Sequence, residues 1–568
     1  MFTIRILYVL ISLVAVSLLF RPVSAQVAVN PYEEQRIDSV SVVLVTPAPD
    51  AAKSARLVDK VRKMLALFPG DLYREHAVQL TLSTIKRLPD IANLTHEVEF
   101  SPRGGLQLLV KVELPPENIS AESVPQFPWL YDRQGTSIKA KVELLGMYYG
   151  NQDAWFGREE KMLDGNPFAI GKSAGKGYSD WIEGFVHGGI YGITPVSDDV
   201  SVYGGFSAIA SGSTGQELFT DQTRTHVATE DAFAGIVGGV VTEDGDRFVY
   251  NFSAGRQRFS LGEGFLLVNT SQNGLDRAAL QSNPRWASDQ VVLAQFAYNN
   301  VKAEFFAVDP DELAAIDSKT KIRGVNLQTN LTDYQLGYAY LSVPESSTGY
   351  YTTSAQYSRE GLRVHNVRLR WQPTAPQQHT TAVPFAGAEF ARQSNRNFSM
   401  AALGYFVEGG YVFPSVSWSP TVSYRYARFS GDKADTQTFE RWDPLLSGGN
   451  GETWVQGINH FKIFQNSNLI SHRVQLRLRP KPQIELVPQL WWFKADSLTN
   501  LGGNPALSFL PDDDLGRELN LTAKYFYSRN IMLQGHIAAT FAGSAVKDAL
   551  GTHHSPWIST MLFLRVGF

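Results

Sequence analysis

The feature that most constrains this chain is the rhythm that begins at Thr136. From there to Phe568 it is a succession of short runs in which apolar and polar residues alternate. That is the period of a strand with one apolar face. Eighteen runs can be read, near 137–149, 179–193, 200–212, 231–242, 247–260, 289–299, 301–308, 321–331, 333–343, 362–373, 383–393, 399–413, 419–430, 469–480, 483–495, 517–527, 531–542 and 557–568. Their connections alternate too. Long ones at 151–177, 213–229, 261–288, 309–320, 344–361, 431–468, 496–516 and 543–556 are separated by short ones such as 195–200, 243–246, Asn299-Asn300, 480–483 and 528–530. Two fit badly: 394–398 is short where a long one is due, and 374–382 is middling where a short one is due. A sheet closed on itself, with tight turns at one end and long loops at the other, produces such asymmetry. The expected fold is mainly β: a transmembrane antiparallel β-barrel of about 18 strands (16–18) over 136–568. An even strand number puts both chain ends of the barrel on the short-turn side.

The final run, Trp557 to Phe568, sets which parity faces out. Phe568, Val566, Leu564, Leu562 and Ile558 share one face, opposite Gly567, Arg565 and Ser559. A terminal aromatic closing such a strand resembles the C-terminus of outer-membrane β-barrel proteins. That resemblance implies recognition of Trp557–Phe568 by the barrel-assembly machinery and a girdle of outer-membrane lipid. Residues 1–25 read as a cleaved secretory leader, with Arg5, the apolar run Leu7 to Phe20, and small residues at Val23-Ser24-Ala25. No later stretch approaches 18 consecutive apolar residues. A soluble sandwich also alternates. The leader, the terminal aromatic and the loop asymmetry decide for the outer membrane of a Gram-negative cell, as do 12% aromatic and only 19% charged residues.

Residues 36–115 read as a separate small domain. Arg36 to Val45 is a β-branched strand. Two helical stretches follow, one with Leu57, Val61, Leu65 and Phe68 on a face, the other with Val78, Leu82, Ile85 and Leu88. Strands at Glu97 to Phe100 and Leu106 to Leu114 complete a β-α-α-β-β order. With Phe68-Pro69-Gly70-Asp71, Leu88-Pro89-Asp90-Ile91 and Gly105-Leu106-Gln107-Leu108, this order resembles a POTRA domain. The resemblance implies a periplasmic module whose sheet edge takes a partner's strand. Residues 116–135 are a Pro-containing linker without periodicity.

Several functions are excluded. Net charge is −4, and removing Arg5 and Arg21 with the leader takes it to −6, against nucleic-acid binding. There is no Cys, no Gly-x-Ser-x-Gly, and no metal-spaced histidine pair beyond His553-His554 in a loop. No enzyme, cofactor or metal site is expected.

The inward parity carries arginine. Arg473, Arg477 and Arg479 oppose Val474, Leu476 and Leu478; Arg368 and Arg370 oppose Val367, Leu369 and Trp371; Arg425 opposes Tyr424 and Tyr426; Arg565 points inward on the last run. Arg256 and Arg258 are candidates too, although the parity of Phe248, Tyr250 and Phe252 aims them outward. Either a bulge near Gly255 shifts the register or the strand has reached the outer rim. Two roles fit the set. Arginine forks attract anionic solutes, or they pair structurally with Glu389, Glu408, Glu485 and Glu518.

Gly255-Arg256-Gln257-Arg258-Phe259, then Leu261-Gly262-Glu263-Gly264-Phe265-Leu266, with Asp443-Pro444-Leu445-Leu446 in the longest loop, resembles alginate-export barrels and related carbohydrate porins. The resemblance implies an Arg-lined conduit through which an anionic polysaccharide leaves the cell, with loops such as 431–468 folding in to gate. A POTRA-like module departs from that family and points to the alternative, Omp85 and two-partner secretion proteins. Those carry an Arg-Gly-aromatic motif in a late loop; here Arg323-Gly324 is followed by Val325 in mid-barrel.

Overall fold

A computed structural model gives the architecture. It describes residues 37–45 and scattered positions between 32 and 91, 93–113 without 102–104, and 127–568 without 134, 155–177, 198, 218–220, 243–245, 332, 353–354, 372, 374–381, 434, 449–453, 500–509, 529 and 551–554. The leader, Phe68-Pro69-Gly70, Leu88-Pro89-Asp90, most of the linker and His553-His554 lie outside the described residues.

The N-terminal region holds β1 (Ile37–Leu44), β2 (Asn93–Phe100) and β3 (Leu106–Glu113) in the order β1-β3-β2. β1 runs parallel to β3 and β2 antiparallel to it. Among the described residues, 57, 58, 61, 62, 78, 81, 82 and 85 are helical and cover one face. Leu57, Val61, Leu65, Val78, Leu82 and Ile85 are buried against Leu106, Leu108, Val110 and Val112. Each such side chain contributes about 1.5–3 kcal/mol on burial.

The linker is not featureless, for β4 (Trp129–Arg133) forms within it. Every one of the eighteen runs then appears as a strand. They are β5 (Thr136–Gln152), β6 (Tyr178–Pro195), β7 (Val200–Gly215), β8 (Arg224–Val241), β9 (Arg247–Arg258), β10 (Ala287–Tyr298), β11 (Val301–Asp309), β12 (Lys321–Asn330) and β13 (Tyr334–Glu345). A small hairpin, β14 (Gly349–Tyr351) and β15 (Gln356–Ser358), sits in the next loop. The series resumes with β16 (Leu362–Trp371), β17 (Val383–Asn395), β18 (Ala402–Val412), β19 (Thr421–Phe429), β20 (Leu469–Lys481), β21 (Ile484–Lys494), β22 (Asp514–Ser528), β23 (Ile531–Ala542) and β24 (Trp557–Gly567). Each pairs antiparallel with the next, and β24 pairs with β5 from Ile558↔Gln152 to Gly567↔Glu143. The eighteen strands therefore form a closed barrel, with no edge left to satisfy.

β5 outruns β24 at the short-turn end. Phe568 exchanges two backbone bonds with Val142, 2.6 and 2.9 Å, and β4 takes the remaining edge from Lys139 to Thr136. Alternation settles the faces. On β22, Leu519, Leu521, Tyr525 and Tyr527 are exposed while Glu518, Asn520 and Lys524 are buried. The connection at 396–401 is the shortest on the long-loop side.

Candidate functional site

Two long loops turn into the barrel instead of standing above it. Loop A (259–286) follows β9 and loop B (430–468) follows β19. Their apolar side chains pack within one cluster with inward residues of the wall. Phe265 stacks on Phe429 and meets Trp454 edge-on at 4.9 Å, and Trp454 lies 4.4 Å from Phe406. Leu267 pairs with Leu446 in a parallel bridge, and the Val268 amide donates to Leu446 O at 3.0 Å. The glycine-rich segment and the Asp443-Pro444-Leu445-Leu446 segment, far apart in sequence, thus meet in the interior.

The tip of loop A is a tight turn, with the Gly264 amide bonded to Leu261 O and the Leu261 amide to Leu267 O. Gly262 and Gly264 have φ of +56° and +87°, where a Cβ is disfavoured. The tip reaches deep. Glu263 pairs with Arg370, the second-last residue of β16 at the short-turn end, and Gly262 lies against Arg368.

Buried carboxylates on the wall hold both loops by their amides. Glu183 accepts from Gln281 and Ser282, 2.9 and 2.8 Å. Glu230 accepts from Trp286 and Ala287, 2.6 and 2.8 Å. Glu518 accepts from Ile458 and from His460 at 2.8 Å. Hydrogen bonds to charged groups contribute about 1.5–3 kcal/mol each. Glu183 and Glu230 were not singled out in the sequence, and Glu518, read there as an arginine partner, takes loop amides instead. Their signal was inward parity, but a strand pattern does not say that a loop amide will arrive.

The outer end is pinned by ions. Arg359 grips Asp443 with two bonds, 2.7 and 3.0 Å, and Tyr350 donates to the same carboxylate. Burial would raise the Asp443 carboxyl, but Arg359 outweighs it and holds it below its usual range. Asp311 is likewise held low: burial opposes, and Arg285, Arg256 and Arg277 overcome it. His460 stacks on Phe493 at 3.7 Å, and burial pushes its ring well below the ordinary value.

The nine arginines separate into two groups. Arg256 and Arg258 are not in the bore. They end β9 where it becomes loop A, at the rim. Arg256 donates to Thr229 O at 2.9 Å and pairs with Asp289 and Asp311, and Arg258 lies 4.0 Å over the Trp286 ring. Gly255 has φ +125°, and the β9–β10 register shifts between Ser288 and Val291, but Ser253 and Gln257 keep the inward face.

The other seven lie on inward faces, and most are neutralised there. Arg473 meets Glu408 at 2.5 Å, Arg477 and Arg479 share Glu485 at 2.9 and 2.8 Å, and Arg565 meets Glu143 at 2.6 Å. Arg368 bonds Asn366 and Asn326, while Glu389, opposite it in register, bonds Asn366. Arg425 differs. It faces Arg473 across β19–β20, lies 4.7 Å from the Trp454 ring and 5.5 Å from Trp491, and two of its guanidinium nitrogens have no hydrogen-bond partner among the described residues.

A closed eighteen-strand barrel with an apolar exterior and a polar interior constricted by its own loops defines a porin-like outer-membrane channel. The sequence profile of the alginate export family matches residues 213–556, and the chain belongs to that family. No curated protein matches the chain. Among solved structures, Pseudomonas aeruginosa OccK5 (OpdH) is similar at 11% identity, covering 76% of this chain and 98% of that one, with a TM-score of 0.45. Acinetobacter baumannii OccAB1 matches at 10% identity, 76% and 96% coverage and TM-score 0.45. Salmonella typhi OmpF matches at 11%, 78% and 100%, with TM-score 0.38.

Proposed function

We propose that this barrel is a conduit through which an anionic polysaccharide, or a similar anionic solute, leaves the cell, with residues 36–115 in the periplasm. The observation that carries this reading is Arg425. Its guanidinium is set between Trp454 and Trp491 beside Arg473, and part of its hydrogen-bonding capacity is unused within the described residues. A carboxylate moving through the bore would find a planar fork to accept it, and indole faces suit the apolar faces of sugar rings. Family membership supports the same reading.

The test is ion selectivity of the purified protein in planar bilayers under a salt gradient. The expected result is anion preference, with acidic oligosaccharides blocking current and neutral ones of equal length passing without block. Arg425→Gln should lower the anion-to-cation permeability ratio by roughly twofold or more, the order set by one charge in a low-dielectric bore. Cation preference, or block by neutral and acidic sugars alike, would overturn the reading.

A second reading, passage of a polypeptide, rests on the mixed sheet of the N-terminal module. Its edges β1 and β2 offer backbone to a periplasmic partner's strand. Val43→Pro in β1 would then stop release of one secreted protein. The polysaccharide reading expects that variant to leave acidic-sugar block unchanged.

A further inference from the structure

Among the described residues, the N-terminal module touches the short-turn end of the barrel at Arg247, Lys302, Arg479 and Phe526. Arg247, the first residue of β9, donates from Nη1 to Leu65 O at 2.7 Å. Lys302 on β11 pairs with Asp71 at 3.2 Å. Arg479 on β20 donates to Ser101 O at 2.6 Å and lies 4.9 Å from the Phe100 ring. Phe526 on β22 packs on Phe100 at 4.6 Å. In the strand order, β9 and β20 are nine positions apart, and so are β11 and β22. In an eighteen-strand ring, nine positions is the opposite wall. One small module is thus anchored on both sides of the opening and lies across it.

The anchors are rigid parts of the module. Asp71 is fixed because its carbonyl accepts the Ile37 amide at 2.8 Å, and the Tyr73 amide donates to Gln35 O at 2.7 Å. Ser101 is fixed by its hydroxyl bond to Asp38, whose carboxylate also takes the Gly105 amide at 3.0 Å. Two of the three cationic anchors also have a replacement partner on the barrel side. Lys302 has Glu304 at 3.5 Å, and Arg479 has Glu485 at 2.8 Å. Removing the module therefore leaves neither cation unpaired, the condition that makes loss of a buried ion pair costly. The seat is mostly polar, and its aromatic part is the Phe100 ring against Phe526 and Arg479.

We infer that residues 36–115 form a displaceable plug seated across the short-turn mouth, and that passage requires it to leave the Asp71–Lys302 and Phe100–Phe526 contacts. This does not depend on which solute passes, so simple potassium chloride is a sufficient probe. The chain has no cysteine, so two introduced ones form the only possible bridge. The full-length protein carrying Asp71→Asn, Phe100→Cys and Phe526→Cys is compared with the Phe100→Cys, Phe526→Cys parent in planar bilayers. The readings are taken before and after treatment with a short bis-maleimide. Loss of one charge-assisted contact shifts a two-state seat by about tenfold, so the triple variant should carry about ten times the parent's mean current. Bridging, verified by mass, should return it to the seated level. Equal currents in the two proteins, or no fall on bridging, would overturn the plug. A changed ion preference with intact closure would instead bear on the solute reading alone.

Discussion

Asp443 is held from three directions: Arg359 and Tyr350 in the 346–361 loop, Gln393 on β17, and the amide of Leu445 beside it. Its carboxylate ties loop B to the wall at its outer end, so Asp443→Asn should release that end. Breaking one partner out of a buried pair costs about 3–5 kcal/mol, because Arg359 is left without its counter-charge. The expected outcome is new tryptic cleavage after Lys462, whose ammonium is buried in the native protein; an unchanged digestion pattern would show the pair to be dispensable. The depressed carboxyl gives the same anchor a pH limit. A carboxyl whose folded value lies below its unfolded 3.8 stabilises at all pH above that value. The anchor is therefore lost only as pH falls below about 4. Arg425 is the opposite kind of residue. It is buried, with two guanidinium nitrogens lacking a hydrogen-bond partner among the described residues, so under the proposed function Arg425→Gln is the neutral substitution expected to move selectivity most.

Loops A and B are joined at Leu267 and Leu446, so they respond together to whatever loosens either. His460 supplies such a trigger within loop B. Its ring lies on Phe493 with Phe464 beside it. Among the described residues neither ring nitrogen has a hydrogen-bond partner, and Lys462 and Glu518 lie close by in the same loop seat. The folded value is well below 6.5 because burial disfavours the charged ring, so protons bind preferentially when the loop has left its seat. Seating is then complete above about pH 6.5 and is progressively lost below it. Channel current should rise between pH 7 and 5, and His460→Phe, which can keep the stack, should remove that rise. A pH response that survives the substitution would assign it elsewhere. The strands were legible because each has a two-residue period, and all eighteen runs are found. The loops were legible only in part: 431–468 was expected to fold in, but the descent of 259–286 was not, because irregular chain carries no period to say whether it points outward or into the lumen. Glu408 and Glu485 could be named as arginine partners from parity alone. Glu263 could not, since it reaches Arg370 only because loop A descends. Glu518, equally inward, is occupied by loop amides and Thr540.

At the scale of the whole molecule, closure and recognition of the last strand are separable. Closure rests on backbone. Phe568 and Val142 exchange two hydrogen bonds, β24 follows β5 for ten residue pairs, and β4 covers the rest of that edge. None of these needs the Phe568 ring, whose aromatic contact among the described residues is Phe127 at 6.4 Å. Phe568→Ala should therefore refold in detergent to a barrel as stable as the parent, within about 0.5 kcal/mol, the range of substitutions away from a core. If the terminal aromatic is an address read by the assembly machinery, the same variant should reach the outer membrane in much lower amount when made in cells. The heat-modifiable band on a gel reports both quantities. Normal insertion in cells would remove the address role and leave Phe568 as a closing residue only. Poor refolding in detergent together with poor insertion would place its contribution in the seam between β24 and β5.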